Sequence, residues 1–136
     1  MQLHLMSRQG KTLDKYFASK RGKDYQGWET RIVRVEELVR YMQTSVEAPE
    51  QWITFSHLVM FYLCDEDTYF PEKARVFVYV GQEGYRIQYR SARELDWQNS
   101  FTVLLARSLQ EAGQKIELAF QLAERDLPSR FDTPQS

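Results

Sequence analysis

Apolar and polar residues alternate most clearly in two neighbouring segments, ARVFVYV and YRIQYR, which are separated by GQEG at 81–84. Alternation on both sides of a short loop that contains glycine predicts a β-hairpin. If Val80 pairs with Tyr85, one face of this hairpin is wholly apolar, because every second residue of each segment is then aliphatic or aromatic. We therefore expect that face to belong to the core.

Three other segments have patterns that predict strands. The segment WITFSHLVMFYL, at 52–63, fits one long strand, although a helical stripe at 3-4-3 spacing fits it as well. Its many aromatic residues favour the strand. FTVLLAR at 101–107 also predicts a strand, and the short segment QLHLM at 2–6 alternates weakly, as an edge strand does.

Helical spacing appears first in two segments of the N-terminal third. KTLDKYFASKRG at 11–22 predicts a short helix that ends at Gly22. Residues 31–44 carry apolar side chains at 3-4-3 spacing and predict a longer helix. We expect Thr30 to cap this helix, since a threonine oxygen can accept a hydrogen bond from an N–H of the first turn.

A third helix is predicted directly after the strand at 101–107. Ser108 and Glu111 have the spacing of a capping box, in which each side chain satisfies a backbone N–H at the start of a helix. The apolar stripe that follows extends this helix to about residue 125. Gly113 costs about 1 kcal/mol inside a helix, and we interpret it as a site of close approach to the sheet.

These elements together predict a single α+β domain over residues 1–126. With 136 residues, the chain is long enough to bury about two-thirds of its unfolded surface in one core. We expect a mainly antiparallel sheet with two or three helices packed on one face. About four strands are expected, at 52–63, 75–80, 85–90 and 101–107. Residues 127–136 are polar and contain proline, which predicts a flexible C-terminal tail.

Composition indicates a cytoplasmic protein without a membrane association. The longest wholly apolar run, LVMFYLC, covers residues 58–64 and is well short of the roughly 18 residues that a membrane-spanning helix needs. The N-terminal sequence lacks the basic start and the long apolar stretch of a secretory signal. A single cysteine cannot form an internal disulfide, so nothing points to an oxidising compartment.

The net charge of −1 hides an uneven distribution along the chain. Residues 1–43 carry nine basic and five acidic residues, a net charge of +4. Residues 44–72 carry six acidic residues and no basic one, a net charge of −6, and residues 73–136 carry a net charge of +1. The overall balance argues against a general nucleic-acid binder, and the acidic middle is the most polarised part of the chain.

The residues with catalytic potential form no recognisable catalytic motif. His57 and Cys64 are seven residues apart, too far for a direct hydrogen bond in either a continuous strand or a helix. Acidic neighbours are expected to raise the pKa of the Cys64 thiol, and His57 is expected to be a hydrogen-bonded histidine of the core. We therefore expect no catalytic residue and no enzymatic activity.

Metal and cofactor sites are not predicted either. Asp65 and Asp67 stand where a calcium-binding loop begins, but Phe70 replaces the glycine and Val76 the glutamate that such a loop needs. The glycines form no nucleotide-binding loop, and two isolated histidines do not make a zinc motif. No cofactor and no metal are expected.

The acidic segment 44–72, with its aromatic residues, is the feature that points to a function. Aromatic anchors surrounded by charges that speed association are typical of protein interfaces. We expect a small protein-binding module, an inhibitor or a toxin-neutralising protein of the immunity type, that occludes a protein partner with a basic surface. The predicted contact residues, named here the acidic set, are Glu47, Glu50, Asp65, Glu66, Asp67, Tyr69, Phe70 and Glu72.

The alternative is a domain that binds single-stranded nucleic acid through the solvent-facing side of the hairpin. Aromatic rings and arginines on a sheet can stack bases and contact phosphates. The residues of this alternative, named here the hairpin set, are Arg75, Phe77, Tyr79, Arg86, Gln88 and Arg90. Long strands with unprotected edges are also compatible with a dimer.

Overall fold

In the part of the chain that the structure describes, the computed structural model contains six strands, three helices and one short 3₁₀ turn at Ser7–Gln9. The structure describes residues 1–23, 25–67, 74–90 and 101–132, with side chains up to residue 124 except at residue 101. The strands are β1 Leu3–Leu5, β2 Gln51–Ser56, β3 Met60–Cys64, β4 Val76–Val80, β5 Tyr85–Arg90 and β6 Phe101–Ala106. The helices are α1 Leu13–Lys20, α2 Glu29–Ser45 and α3 Leu109–Asp132.

The strands form one sheet whose spatial order is the chain order, from β1 to β6. β1 runs parallel to β2, and the later neighbours are antiparallel. The predicted α+β class is confirmed. The predicted number of about four strands is too low, because the segment 2–6 supplies β1 and the segment 52–63 supplies two strands instead of one.

The segment WITFSHLVMFYL forms a tight hairpin, so the prediction of one long strand is wrong. Ser56 at the end of β2 pairs with Met60 at the start of β3. His57 and Leu58 at the tip have positive φ angles of 55° and 65°, which cost roughly 1–3 kcal/mol each in residues other than glycine. No glycine, asparagine or proline marks this turn, so the pattern hides it. His57 is exposed at the tip, which overturns its expected place in the core.

The second hairpin has the predicted register. Val80 pairs with Tyr85, and the N–H of Gly81 donates to the carbonyl of Gly84 across the turn at 2.8 Å. Arg34 of α2 also donates to the carbonyl of Gly81, at 2.6 Å. This guanidinium ties the turn to the helix layer and gives the hairpin a defined position.

One face of the sheet carries the core, and all three helices pack against it. Side chains from alternating positions of the strands are buried there together with side chains from α1, α2 and α3. The fully buried strand residues of this helix face include Ile53, Phe61, Leu63, Val78 and Ile87. The predicted packing of helices on one face is therefore confirmed. The opposite side of the sheet is named here the outer face.

The first and third helices begin with side-chain caps. Thr12 accepts a hydrogen bond from the backbone N–H of Lys15 at the start of α1. Ser108 accepts from the N–H of Glu111 at 3.1 Å, and the Glu111 carboxylate accepts from the N–H of Arg107 at 2.7 Å. The predicted capping box is thus formed, with its return bond one residue earlier than the usual partner.

The second helix begins without such a cap. Trp28 is the N-cap of α2 and its side chain makes no capping hydrogen bond. Thr30 lies inside the first turn, so the prediction of a threonine cap is wrong. The third helix continues to Asp132, beyond the predicted end near residue 125.

Gly113 permits a close approach to α2, and not to the sheet as predicted. A Cβ atom at this position would lie 2.5 Å from Cε2 of Tyr41 and 3.1 Å from Cγ2 of Val46. Tyr41 belongs to the last turns of α2, and Val46 directly follows that helix. Glycine has a low helix propensity, but the absence of a Cβ atom at this position allows α3 to pack closely against α2.

Candidate functional site: the outer face of the sheet

Cross-strand register arranges the middle of the outer face in two rows. Paired residues of neighbouring strands point to the same side of a sheet, so their side chains lie next to each other across the strands. The first row is Thr54, Tyr62, Phe77, Gln88 and Val103. The second row is Ser56, Met60, Tyr79, Arg86 and Leu105. Aromatic residues therefore occupy the centre of this face, and aliphatic residues occupy its β6 end.

Tyr62 and Phe77 form the aromatic centre of the first row. Their rings are stacked, with centroids 5.0 Å apart and an interplanar angle of 21°, and both side chains are half-buried. Such a pair contributes about 0.5–1.5 kcal/mol beyond its buried area. Half-buried aromatic rings near the centre of a surface are also typical anchors for a protein partner.

Tyr79 lies among cations next to this centre. The guanidinium of Arg31, which comes from α2, lies 5.1 Å from the ring centroid and donates to the Tyr79 hydroxyl at 2.7 Å. The guanidinium of Arg86 lies 5.4 Å from the same centroid. Cation–π contacts contribute about 0.5–1 kcal/mol each at exposed sites. The Tyr79 ring is therefore already engaged by two side chains of the protein.

The β6 end of the outer face is apolar and exposed. Val103 is 47% exposed and Leu105 is 68% exposed. Among the described residues, the other exposed large hydrophobic side chains are Trp28 and Val33. Gln88 and Arg86 of β5 lie between these two residues and the aromatic ones, so Val103 and Leu105 form a separate exposed apolar patch, which is a feature of interaction sites.

The N-terminal segment covers the other end of the outer face, at β1 to β3. Met6 is fully buried and packs against Cys64 and Ala74. Arg8 donates to the hydroxyl of Thr54 at 3.0 Å, and Thr54 is buried although it belongs to the outer face. This end of the face is therefore part of the interior of the protein.

Cys64 is the last residue of β3 and is buried. Burial, and to a smaller extent the neighbouring Asp65 carboxylate, raise the pKa of the Cys64 thiol to about 11. A thiol with this pKa is protonated at neutral pH and is a poor nucleophile. The geometry thus favours a packing role for the cysteine.

Asp65 of the acidic set and Arg75 of the hairpin set are partners of each other. The Oδ2 atom of Asp65 lies 3.3 Å from the Nε atom of Arg75. Asp65 also accepts a hydrogen bond at 2.8 Å from the side-chain amide of Gln51, which is fully buried. Two residues assigned to rival functions from the sequence therefore balance each other's charge.

Two further carboxylates of the acidic set contact the N-terminal segment. Asp67 accepts a hydrogen bond from the N–H of Ser7 at 3.2 Å, and the Glu50 carboxylate contacts the imidazole of His4. Glu66 is exposed and pairs with none of the described residues. Several carboxylates of the acidic set therefore have partners inside the protein, at the β1–β3 end of the sheet. Fewer of them are available to a partner molecule than the number of acidic residues in the segment 44–72 indicates.

The remaining members of the acidic set are Glu47 and three residues outside the described part of the chain. Glu47 precedes β2, and its backbone N–H donates to the carboxylate of Glu117 in α3 at 3.2 Å. The residues that lie outside the described ranges are Tyr69, Phe70 and Glu72. The two aromatic anchors predicted for the acidic surface are therefore not part of the site described here.

The hairpin set lies on the outer face, as strand alternation requires, but its arginines differ in their surroundings. Arg75 is paired with Asp65, and Arg90 donates to the carbonyl of Ala74 at 3.3 Å. Arg86 is exposed and forms no ion pair with a described residue. Much of the positive charge that the set would offer to a phosphate backbone is therefore already used inside the protein.

Sequence reasoning missed four side chains of this surface: Met60, Tyr62, Val103 and Leu105. The first two were hidden because the turn at 57–58 was not recognised, and only this turn aligns Tyr62 with the hairpin set. The other two were hidden because β6 is apolar at both alternating sets of positions, with Thr102 as the one polar residue. A pattern of that kind does not show which side faces the core.

Among the described side chains, no group of three histidine, cysteine, aspartate or glutamate residues is close enough together to hold a metal ion. Within the same part of the chain, no helix combines the length and the apolar character that crossing a membrane requires. Comparison with protein-family models, with curated protein sequences and with solved structures gives no match to this chain.

Proposed function

We propose that this protein is a protein-binding module whose contact surface is the aromatic centre of the outer face, at Tyr62 and Phe77, together with the polar residues around it. The stacked and half-buried rings of Tyr62 and Phe77 carry the proposal, and Gln88 and Arg86 on the neighbouring strand β5 give them a polar rim. Protein interfaces commonly have such an apolar and aromatic centre within a polar rim.

Charges of opposite sign lie at the two ends of the strands that carry this surface. Asp65 and the exposed Glu66 follow the end of β3, whereas Arg86 lies at the other end, next to the β4–β5 turn. A partner with a basic patch facing Glu66 would associate faster and in one orientation. The basic surface of the partner, which was expected from the sequence, would therefore face only the end of the contact surface at which Glu66 lies.

Such a module acts by covering a surface of its partner, and its effect requires no turnover. An inhibitor or a toxin-neutralising protein of the immunity type works in this way, and we retain this mode as the specific form of the proposal. In this form the affinity comes from the aromatic centre, and the charges at the rim set the rate of association.

Single-stranded nucleic acid is the less favoured occupant of the same face. Bases stack on aromatic rings that are free to receive them, but Tyr62 and Phe77 stack on each other, and Tyr79 is engaged by Arg31 and Arg86. The aliphatic β6 end also offers no ring for stacking. These contacts favour a protein over a nucleic acid.

Site-specific photo-crosslinking in an extract of the source organism tests the proposal. A photoreactive phenylalanine analogue is placed at the exposed position of Arg86 in one variant and at that of Val33 in another. Val33 is a matched control, because it is exposed but lies on α2, away from the outer face. We expect a discrete crosslinked protein from the first variant alone.

Titration of the purified partner with variants then locates the contact. We expect Phe77→Ala to weaken binding by about tenfold or more, as truncation of an aromatic anchor does. Glu66→Lys should slow association at low salt with little change in the fold, because Glu66 pairs with none of the described residues. Unchanged affinity of Phe77→Ala would contradict an interface on the outer face.

Fluorescence polarisation with a labelled single-stranded RNA at low salt separates the two functions. We expect no binding by the native chain. RNA binding that weakens in Tyr79→Ala and Arg86→Ala would instead support the nucleic-acid alternative and overturn the proposal.

A further inference from the structure

The β1 edge of the sheet is protected against pairing with other chains. β1 has only three residues, so it does not cover the whole of β2. The side-chain amide of Gln9 completes the pairing, since it donates to the carbonyl of Phe55 at 2.7 Å and accepts from the N–H of Phe55 at 2.6 Å. Short edge strands and side chains that occupy backbone groups prevent the addition of a foreign strand.

The β6 edge has no such protection among the described residues. β6 has six residues and pairs with β5 on one side. Its sequence, FTVLLA, contains no charged residue, no proline and no glycine. Every second residue of an edge strand points its N–H and C=O away from the sheet. An apolar edge strand of this length is therefore a template for pairing with another strand.

We propose that β6 pairs with β6 of a second copy of this chain, in an antiparallel dimer with two-fold symmetry. Successive side chains of a strand point to opposite faces. The outer faces of the two copies therefore lie on the same side only if odd-numbered residues of one copy pair with odd-numbered residues of the other. The register with Leu104 on the axis meets this condition. It places Val103 of each copy opposite Leu105 of the other.

A second copy is the occupant that the chemistry of this edge favours. Residues 102–106 carry no charge, so pairing the strand with itself places no like charges opposite each other. A two-fold axis also repeats each favourable contact. Val103 and Leu105, which are 47% and 68% exposed, would contact each other across the new strand pair, and the burial of part of their apolar surface favours association.

The dimer goes beyond the proposed function and does not depend on it. It uses the edge and the aliphatic end of the outer face, whereas the aromatic centre at Tyr62 and Phe77 stays open in both copies. The two six-stranded sheets would become one continuous sheet with a shared outer face. A partner with two binding sites would then bind with increased avidity.

Sedimentation equilibrium of the full chain over a range of concentrations tests the dimer. We expect a monomer–dimer equilibrium for the native chain and a dissociation constant raised about tenfold or more in Leu105→Lys, since each introduced lysine would face Val103 of the second copy. Val33→Lys is the matched control, because Val33 is 65% exposed but lies on α2. A native chain that is monomeric at all concentrations, or equal weakening by the two variants, overturns the proposal.

Disulfide formation tests the register, in a chain whose own Cys64 is replaced by alanine. In Leu104→Cys the two introduced thiols face each other across the axis, and we expect a covalent dimer under mild oxidation. In Leu105→Cys the two Cα atoms would lie about 8 Å apart, beyond the roughly 7 Å that a disulfide bridges. A covalent dimer of Leu105→Cys alone, or of neither variant, overturns the register.

Photo-crosslinking to the partner distinguishes a failure of the dimer from a failure of the proposed function. The variant Leu105→Lys should still give the crosslinked partner from position 86, because the dimer edge and the aromatic centre are separate. Loss of the dimer with retained crosslinking therefore confirms that the two surfaces are independent. If Leu105→Lys abolished both the dimer and the crosslinked partner, the inference that β6 forms a dimer contact separate from the partner-binding surface would be overturned.

Discussion

The two ends of the outer face belong to the same sheet but have opposite characters. At the β1–β3 end the N-terminal segment covers the face, and Met6 and Cys64 are buried. At the β6 end Val103 and Leu105 are exposed. The covered end uses its polar groups for internal contacts, whereas the open end leaves apolar side chains in solvent. We infer that the first end contributes mainly to stability and the second mainly to contacts with other molecules.

The largest expected effect is that of Met6→Ala at the covered end. Met6 is fully buried, and truncating a buried methionine lowers the free energy of unfolding by about 2–5 kcal/mol. Met60→Ala is the matched control on the same face, where Met60 is half-buried, and its loss should be about 1 kcal/mol. Urea unfolding followed by circular dichroism measures both. Equal losses would mean that the N-terminal segment does not seal this end.

The second effect concerns the hydrogen bonds that protect the β1 edge. Gln9→Ala removes both hydrogen bonds to the backbone of Phe55 and should lower the free energy of unfolding by about 1–3 kcal/mol, because buried backbone groups lose their partner. Gln110→Ala, on the exposed side of α3, should change it by less than about 0.5 kcal/mol. Chemical denaturation compares the two variants, and similar losses would argue against edge protection by Gln9.

A third effect is the pH dependence that Cys64 adds to the covered end. Burial raises the pKa of its thiol to about 11, so at alkaline pH the unfolded chain releases this proton before the folded chain does. Stability from this group is fully present below about pH 9 and is lost as the pH rises toward 11. Between pH 8 and 10 the native chain should lose about 1 kcal/mol more than Cys64→Ala.

Comparison of the native chain with Cys64→Ala separates the effect of this thiol on stability from that of other groups that titrate at alkaline pH. Burial, and to a smaller extent Tyr25, raise the pKa of Tyr16 to about 12, and this tyrosine titrates equally in both chains. Urea unfolding at pH 8 and pH 10 measures the difference. Parallel pH profiles for the two chains would show that Cys64 is accessible to water.

The smallest effect is expected at the open end. Leu105→Ala should change the free energy of unfolding by less than about 0.5 kcal/mol when measured at a protein concentration low enough to keep the chain monomeric. Leu63→Ala is the control on the helix face, where Leu63 is fully buried, and should cost about 2–5 kcal/mol. A loss above 1 kcal/mol for Leu105→Ala would show that the open end is covered in the monomer.

The sequence was a reliable guide where the spacing of apolar residues and the turn residues indicated the same structure. The hairpin at 75–90, the strand at 101–107 and the capped start of the third helix were all predicted close to their observed places. It was a poor guide at 52–63, where the turn at His57 and Leu58 contains no glycine, proline, asparagine or aspartate.

The candidate site was only partly predictable for a related reason. Strand alternation placed Phe77 and Arg86 on one side, but it could not show that Asp65 would pair with Arg75. That ion pair joins the end of β3 to the residue before β4, and it removes one member from each of the two predicted binding surfaces. Contacts between segments distant in sequence decide which charges remain available to a partner.

By itself, the sequence determined the fold class, the presence of one apolar face, and the lack of a recognisable catalytic motif, because these depend on local periodicity and residue spacing. The tertiary structure alone decided that Met6 and Gln9 close one end of the sheet while Leu105 is left open at the other. The physical reason is that a strand pattern gives the side on which a residue lies. What covers that side depends on where the rest of the chain packs.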